Sequence, residues 1–522
     1  STVLSFIPKK KNQFDLKNPK NLEKVTRILF SNRRKMINKN FSKLFKKNTS
    51  IAKNLNIKLN QRPEELNNEM FYSILPYHIK VFIASNYGYY LKYLRYSGKF
   101  YQYRDEAVQR ESWTKEKWDN WQEEKIEYIL ETAYKYVPYY QEYWRARKKR
   151  GDNSSYKLIE NWPVINKSII QKNPKYFINT NYKKCQLIIE NTSGSTGTPL
   201  RVYHSKESLR YWYGLCEVRW RNWYGLSLKQ SWAYIAGRKI VPYYSQNPPF
   251  WVWNKGLNQL YLSCYHLKEQ NIQYYIDALR KYKIVNLYGL ASSIHQLAYL
   301  GKKMGICPPP IKAVVSCAET LYPNHRKDIE DFFSCPVYDS YGSTEKVVAA
   351  SECKQKTFHL WPDVGKVEII NCNKNIVSAS NNFGKLICTG LFNDAMPLIR
   401  YEINDVGVID EYESCACGRA MPILKSLDGR YDDMILTKDG RRVMIIWSFL
   451  NDLPIIELQI IQKDIENIWI NYVPHNKLDA EDERELITRL EKNIGEFNFH
   501  LYPVNSIDRG NNGKFKAVIS KL

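Results

Sequence analysis

Between residues 160 and 410 the chain repeats one device, in which short apolar runs of strand length alternate with stretches of helical spacing. The runs are "CQLIIE", "SWAYIAG", "KIVNLYG", "IKAVVSCAE", "CPVYDSYG", "VGKVEII" and "GKLICTG". This alternation predicts an α/β architecture with a substantial sheet. The end of the chain reads differently. "IIELQIIQKDIENIWINYVP", "AEDERELITRLEKNIG", "FNFHLYPVNSI" and "KFKAVISKL" give strand, strand, helix, strand, strand, a small α+β unit beginning near residue 430.

Composition sets the outer limits. A chain of 522 residues is too long for one ordinary core, and 40 Tyr with 14 Trp supply large amphipathic side chains for more than one. No stretch reaches the ~18 uncharged apolar residues of a membrane span. "VFIASNYGYYLKYL" comes nearest and is interrupted by polar groups and Lys92, so a soluble protein is expected. "STVLSFIPKKKNQ" has neither a signal peptide's order nor an initiator Met, which fits a start inside a longer reading frame. Eleven scattered cysteines, an odd number, argue against a disulfide framework and for a reducing cytoplasm.

The net charge of +25 raises nucleic acid or an anionic membrane as a partner, but residues 1–50 hold 14 Lys and Arg against 2 acids. The basic signal therefore belongs mainly to that segment. "NLEKVTRILFSNRRKMINKNFSKLF" spaces its apolar residues as an amphipathic helix with a basic outer face, and a short helix follows from Pro63. "LSFIPKK", "ILFSNRRKMINKNF" and "RPEELNNEMFYSI" resemble the C-terminal end of the bacterial ribosomal RNA adenine dimethyltransferases. That family's cofactor-binding domain and catalytic motif are missing, so residues 1–74 are not expected to methylate. Two readings remain for them: an RNA-binding module working through Arg33, Arg34, Lys35, Lys39 and Lys43, or a fused fragment with no function of its own.

"TSGSTGTP", directly after "CQLIIE", is a strand running into a loop. Gly194 and Gly197 permit close backbone approach, so that successive N–H groups form an anion-binding nest, with hydroxyls from Ser193, Ser195, Thr196 and Thr198. Taken alone it is equally a surface turn, and no lysine follows the second glycine as in a P-loop. Four further motifs follow in order: "YDSYGSTEK" (338–346), "PLIRYEINDVG" (397–407), "DGRYDDMI" (428–435) and "NNGKFKAVI" (511–519). Together the five resemble the adenylate-forming superfamily of acyl-CoA ligases and adenylation domains. The nearest likeness is to its phenylacetate-CoA ligase and CapK-like branch, which also carries features similar to "SCAETLYP" and "CACGRAMPIL".

The resemblance spans residues 75 to 522 and implies a large multi-layer α/β N-terminal catalytic domain (75–429). A small mobile α+β C-terminal domain (430–522) would follow, with the short all-α segment 1–74 in front. The implied reaction adenylates a carboxylic acid with ATP and Mg²⁺, releases pyrophosphate, and passes the acyl group to coenzyme A or to a sugar or amine acceptor. A capsular polysaccharide role, or nucleotidyl transfer to a small molecule without coenzyme A, are variants of the same reading.

Residue roles carry over motif by motif. Thr192 to Thr198 would cradle the phosphates, Glu345 would hold Mg²⁺, and Thr344 would donate to the α-phosphate. Ala318, Glu319, Tyr341 and Gly342 would bind the nucleotide, Tyr341 by stacking on adenine, while Asp405 and Arg430 would hold the ribose. Lys514 would bridge the α-phosphate and the attacking carboxylate, and Asp432 would be the hinge. The chain departs from the superfamily at Ile403-Asn404, where Thr-Gly or Gly-Gly is usual; Asn tolerates positive φ better than most residues, so the turn can survive. The acyl pocket is expected to draw on "LYLSCYHL" and "YGLASS".

A second constellation stands apart from these motifs. Cys353 and His359, then Cys415 and Cys417 after some fifty residues, give three thiols and one imidazole, a structural zinc set in type and number. Cys-x-Cys is tighter than the usual gap, and the alternative is buried free cysteines beside a core histidine.

Overall fold

The computed structural model describes residues 75–192, 199–242, 245–370, 376–377, 383–430, 435–438, 442–443, 450, 453–475, 478–509 and 515–522. The helices expected in residues 1–74 lie outside the described residues. Contacts divide the chain into two units, Ser1–Ile83 with Lys239–Pro249, and Ala84–Arg238 with Phe250–Leu522. In the first, the buried Lys80 ammonium donates to Ile240 O (2.9 Å), and burial lowers its pKa to about 8.

The described chain opens with α1 (Tyr77–Arg95), α2 (Phe100–Arg110), α3 (Lys115–Tyr136) and α4 (Pro138–Lys149). The hydroxyl of Thr114 caps α3 by accepting from Lys117 N. Val137 is extended, as a residue before proline prefers, and ends α3; Pro138 then starts α4, where its missing N–H leaves no intrahelical bond unmade. Next come β1 (Ile165–Asn166), α5 (Lys167–Lys172) and an antiparallel hairpin of β2 (Leu187–Asn191) and β3 (Arg201–Ser205).

The α/β region proper contains α6 (Lys206–Arg219), β4 (Trp232–Ala236), β5 (Trp251–Asn254), β6 (Gln259–Ser263), α7 (Glu269–Lys281), β7 (Asn286–Leu290), α8 (Ala291–Lys303), β8 (Ala313–Cys317), α9 (Pro323–Phe333) and β9 (Val337–Gly342). An antiparallel region follows with β10 (Ala349–Glu352), β11 (Phe358–Leu360), β12 (Gly365–Ile370), β13 (Ile376–Val377), β14 (Phe383–Gly390), β15 (Tyr401–Asp410) and β16 (Ile423–Arg430).

One sheet of 14 strands joins the two regions, in the order β13-β12-β14-β15-β16-β11-β10-β9-β8-β7-β4-β6-β5, with β1 beside β15. The run β9-β8-β7-β4-β6 is parallel. The chemistry of the strands follows this division. β8 is buried at every residue, as a parallel strand covered on both faces must be, whereas β12 alternates between buried and half-buried. Every apolar run expected to be a strand is one.

The C-terminal part contributes β17 (Ile435–Leu436), β18 (Arg442–Val443), β19 (Ile455–Gln462), β20 (Asn467–Pro474), α10 (Ala480–Ile494), β21 (Asn498–Pro503) and β22 (Val518–Ser520). The last four strands form a sheet in the order β21-β20-β19-β22, in the expected sequence of strand, strand, helix, strand, strand. Its separate core includes Ile460, Ile468, Ile470, Leu486 and Leu490. Asp479 caps α10 reciprocally with Asp482, and the acids of the first turn face the positive end of the helix dipole.

A fully buried carboxylate fixes the packing of the larger part. Asp363, between β11 and β12, accepts from Arg110 Nε of α2 (3.0 Å) and from Nη1 and Nη2 of Arg219 of α6 (2.5 and 3.0 Å). Arg219 Nε donates to Glu111 (3.0 Å), which also takes Arg419 Nε (2.5 Å). Burial opposes the Asp363 charge, but Arg219 and Arg110 outweigh it and hold the carboxyl below its ordinary range. Asp363→Asn would leave two buried guanidiniums without their shared counter-charge, so denaturant unfolding at neutral pH should show a loss on the order of 3–5 kcal/mol. Because the native pKa is depressed, the wild-type advantage is full above the ordinary aspartate range. It is lost as pH falls below that range, and the two unfolding midpoints should converge there.

Candidate active site

The carboxyl ends of parallel strands are where open α/β sheets bind ligands. Here the ends of β7, β8 and β9 lie side by side, since Leu290 is the register partner of Cys317 and Cys317 that of Ser340. Ala318, directly after β8, takes a left-handed backbone (φ +64). The carboxylate of Glu319 then divides its oxygens: Oε2 accepts Ser292 N at the start of α8 (3.0 Å), and Oε1 accepts Phe515 N (2.6 Å). Phe515 directly follows Lys514 in the chain. Arg509 stacks on its ring at 4.9 Å and pairs with Glu457 of β19.

Other expected residues meet beside these loops. Tyr341 Oη donates to Asp405 Oδ2 (2.6 Å), and burial, then the Asp405 charge, keep that phenol protonated. Asn404, before Asp405, has φ +67, so the substituted turn does adopt the left-handed geometry that glycine usually supplies. Asp405 is the register partner of Arg430 on β16. Glu345 is buried and accepts from Tyr401 Oη at the head of β15 (2.9 Å). Thr344 is half-buried, and Gly342 is exposed, with Val348 O 3.8 Å from where a Cβ would stand.

Thr192 closes the neck of the glycine-rich loop: its N–H donates to Leu200 O (3.0 Å) and its hydroxyl accepts Leu200 N (2.9 Å). Ser193, Gly194, Ser195, Thr196, Gly197 and Thr198 lie outside the described residues, as do Asp432 and Lys514; of Arg430 only the backbone is described. The segments expected to line the acyl pocket sit at the carboxyl ends of β6 and β7. There Ser263 Oγ meets His266 Nδ1 (2.8 Å), and Tyr275 Oη donates to Ser263 O (2.6 Å).

One cluster escaped the sequence reading. Lys346 Nζ is paired with Glu190 and lies 3.4 Å from Nε2 of the buried His204. Glu190 belongs to β2, just before the glycine-rich loop, and Lys346 follows Glu345, so the pair ties two of the motifs together. Burial first, and then the Lys346 charge, lower the His204 pKa, which keeps this imidazole neutral. The only sequence signal was adjacency to motifs, because nothing in the spacing of residues 190, 204 and 346 predicts contact.

Asp339 of β9 is held in an acid cluster. Ser316 Oγ donates to it, its own N–H donates to Glu352 (2.9 Å), and Arg326 pairs with Glu352 (2.6 Å). Burial, with the Glu352 charge adding to it, pushes the Asp339 carboxyl up to about 7.

Away from these loops, the four ligand atoms of Cys353, His359, Cys415 and Cys417 lie within 4.8 Å of one another. Cys353 follows β10, His359 is on β11, and the other two occupy the loop before β16. Burial lowers the His359 pKa to about 4, so this imidazole is also neutral. Ten cysteines lie among the described residues, and none is in a disulfide.

The fold is that of the adenylate-forming ligases. A crystal structure of 2-hydroxyisobutyryl-CoA ligase, in the postadenylation state with an acyl-AMP, superposes with a TM-score of 0.59 at 16% identity, over 79% of this chain and 92% of that one. The CapK C-terminal domain model matches residues 435–521. Over 410 residues the chain is 30% identical to Protein CapK of Staphylococcus aureus, covering 75% of this chain and 88% of that protein. The chain belongs to the CapK family. A separate stretch of 75 residues, 14% of this chain, is 45% identical to 28% of ribosomal RNA small subunit methyltransferase A of Pelagibacter ubique. Among the described residues no helix is long and apolar enough to cross a membrane.

Two measurements check this geometry. In Glu319→Ala, the amide of Phe515 should exchange with deuterium at least about tenfold faster, while amides of β8 keep their wild-type rates. For Asp339 the native pKa is raised, so its contribution to stability is full below the ordinary aspartate range and is lost as pH rises through about 7. The melting temperature of wild type should therefore fall more between pH 5 and pH 8 than that of Asp339→Asn.

Proposed function

We propose that this protein is an AMP-forming ligase of the cytoplasm. It would join a carboxylic acid to AMP, release pyrophosphate, and transfer the acyl group to coenzyme A or to an amine or hydroxyl of a sugar or small molecule. A role in capsular polysaccharide synthesis follows from the last acceptor. The observation that carries the reading is the Tyr341–Asp405 hydrogen bond beside the carboxyl ends of the parallel strands, with Glu345 buried next to the same motif.

In this reading a carboxylate oxygen attacks the α-phosphorus of ATP in line, and the bond to the pyrophosphate oxygen breaks. Tyr341 would offer its ring to adenine, with Asp405 and Arg430 holding the ribose. The backbone of 192–198 would receive the departing phosphates, and Thr344 would donate to the α-phosphate. The Glu345 carboxylate is the hard oxygen donor that suits Mg²⁺, which would offset the charge developing on pyrophosphate. Lys514 would balance the charge between the α-phosphate and the attacking carboxylate, and the Glu319 contact holds the residue next to it. Asp432 would serve as the hinge for the acyl-transfer step. The cofactors required are ATP, Mg²⁺ and, for a thioester product, coenzyme A, with zinc a separate structural component.

An ATP–pyrophosphate exchange screen over aromatic and aliphatic carboxylic acids should find at least one that supports exchange. Lys514→Ala should then reduce the exchange rate by at least about 10²-fold, and Asp405→Asn should raise the KM for ATP about tenfold. Undiminished exchange in Lys514→Ala would rule out its role. Failure of every acid to support exchange would rule out the activity.

A further inference from the structure

The Cys353, His359, Cys415 and Cys417 cluster is unused by the adenylation reading, and its geometry is specific. Tetrahedral zinc with Zn–S near 2.3 Å and Zn–N near 2.05 Å requires S···S separations of about 3.8 Å and S···N separations of about 3.6 Å. Here Cys353 Sγ lies 3.7 Å from Cys415 Sγ, and Cys417 Sγ lies 3.3 Å from His359 Nε2. A disulfide would need about 2.05 Å, so the Cys353 and Cys415 sulfurs stand at the spacing of metal ligands and not of a bond between them, and all four ligand atoms lie within 4.8 Å of one another.

The surroundings are arranged for thiolates. Cys353 heads a tight turn in which Gln355 N points at its sulfur (3.3 Å), Cys353 N donates to Thr357 O (2.8 Å) and Lys356 is left-handed (φ +61). Cys415 heads a second: Cys417 N points at its sulfur (3.5 Å), Gly418 N donates to Cys415 O (3.0 Å) and Gly418 has φ +78. Both turns thus aim a backbone N–H at the first sulfur. His359 Nδ1 lies 3.4 Å from Met421 O, a contact that fixes the ring with Nε2 toward the sulfurs, the orienting bond that metal-bound histidines use. Three thiolates and one Zn²⁺ leave a net charge of −1, and the Arg419 guanidinium, within hydrogen-bonding reach of Cys417, supplies the nearby cation.

We infer that these four residues bind one Zn²⁺ per chain in a closed, structural site that staples the loop 411–418 to the turn after β10. All four positions are filled by protein, which leaves none for substrate. Arg419 then continues from the staple to Glu111, and so to Arg219 and Asp363. The metal therefore secures one arm of the buried ion network.

The test is metal content of the full-length protein grown with zinc and purified without chelator. Wild type should carry one zinc per chain, Cys415→Ser and Cys417→Ser should each lose it, and Cys185→Ser, an exposed thiol outside the cluster, should keep it. Should the ligand variants fail to fold, wild type exchanged with Co²⁺ should show the intense visible bands of a tetrahedral thiolate site. Zinc-free wild type, zinc retained in both folded ligand variants, or cobalt protein without those bands would each overturn the assignment. None of these readouts depends on adenylation.

Discussion

A carboxylate with no access to water must be answered by cations that also lack it, and Asp363 is such a group. Its partners come from α2 and α6, far apart in sequence, and aromatic side chains pack around them. Trp361 lies under the Arg219 guanidinium at 5.2 Å, and Trp212 and Trp220 pack on Trp361. A buried ion group of this kind is a weak source of net stability, because desolvation consumes most of the attraction. Its effect is on specificity: one arrangement of α2, α6 and the β11–β12 turn satisfies every charge, and shifted packings leave one exposed to an apolar interior.

The same economy of contact governs the candidate active site. The parallel half of the sheet delivers three loop starts side by side, because parallel neighbours end at the same level. The antiparallel half delivers Asp405 and Arg430 as cross-strand partners on β15 and β16. Tyr341 lies at the seam of the two halves, on the last parallel strand, with β10 as its antiparallel neighbour. Its hydrogen bond to Asp405 therefore joins regions that the chain visits some sixty residues apart. Glu319 has a comparable position, accepting from Ser292 N at the start of α8 with one oxygen and from Phe515 N of the C-terminal part with the other.

Much of this was legible in the residues. Period and apolar content found β4, β7, β8, β9, β12 and β14 of the large sheet and the order of the C-terminal elements, since both depend on local spacing, whereas its shorter strands, such as β5, β10 and β11, gave no apolar run to read. Asn404 marked a left-handed turn through local backbone sterics, since Asn tolerates positive φ better than most residues. Three thiols and an imidazole announced a metal set by type and number. The ordered motifs pointed to a family that the 30% identity to Protein CapK bears out. What escaped was contact between residues distant in the chain whose types are commonplace. Lys346 with Glu190 and His204, or Asp363 with Arg110 and Arg219, are ordinary charged residues until the sheet brings them together.

By itself the sequence determined which segments become strands and helices, where turns must be left-handed, and which residues possess the chemistry for phosphate, ribose and metal. These follow from side-chain size, backbone freedom and donor type, which each residue carries wherever it is placed. Only the tertiary structure decided which of those groups meet: the Tyr341 hydroxyl on Asp405, the Phe515 amide on Glu319, and four ligand atoms gathered within 4.8 Å. The physical reason is that a contact between distant residues is set by sheet order and register, and these come from the burial of the whole core and not from any segment of it.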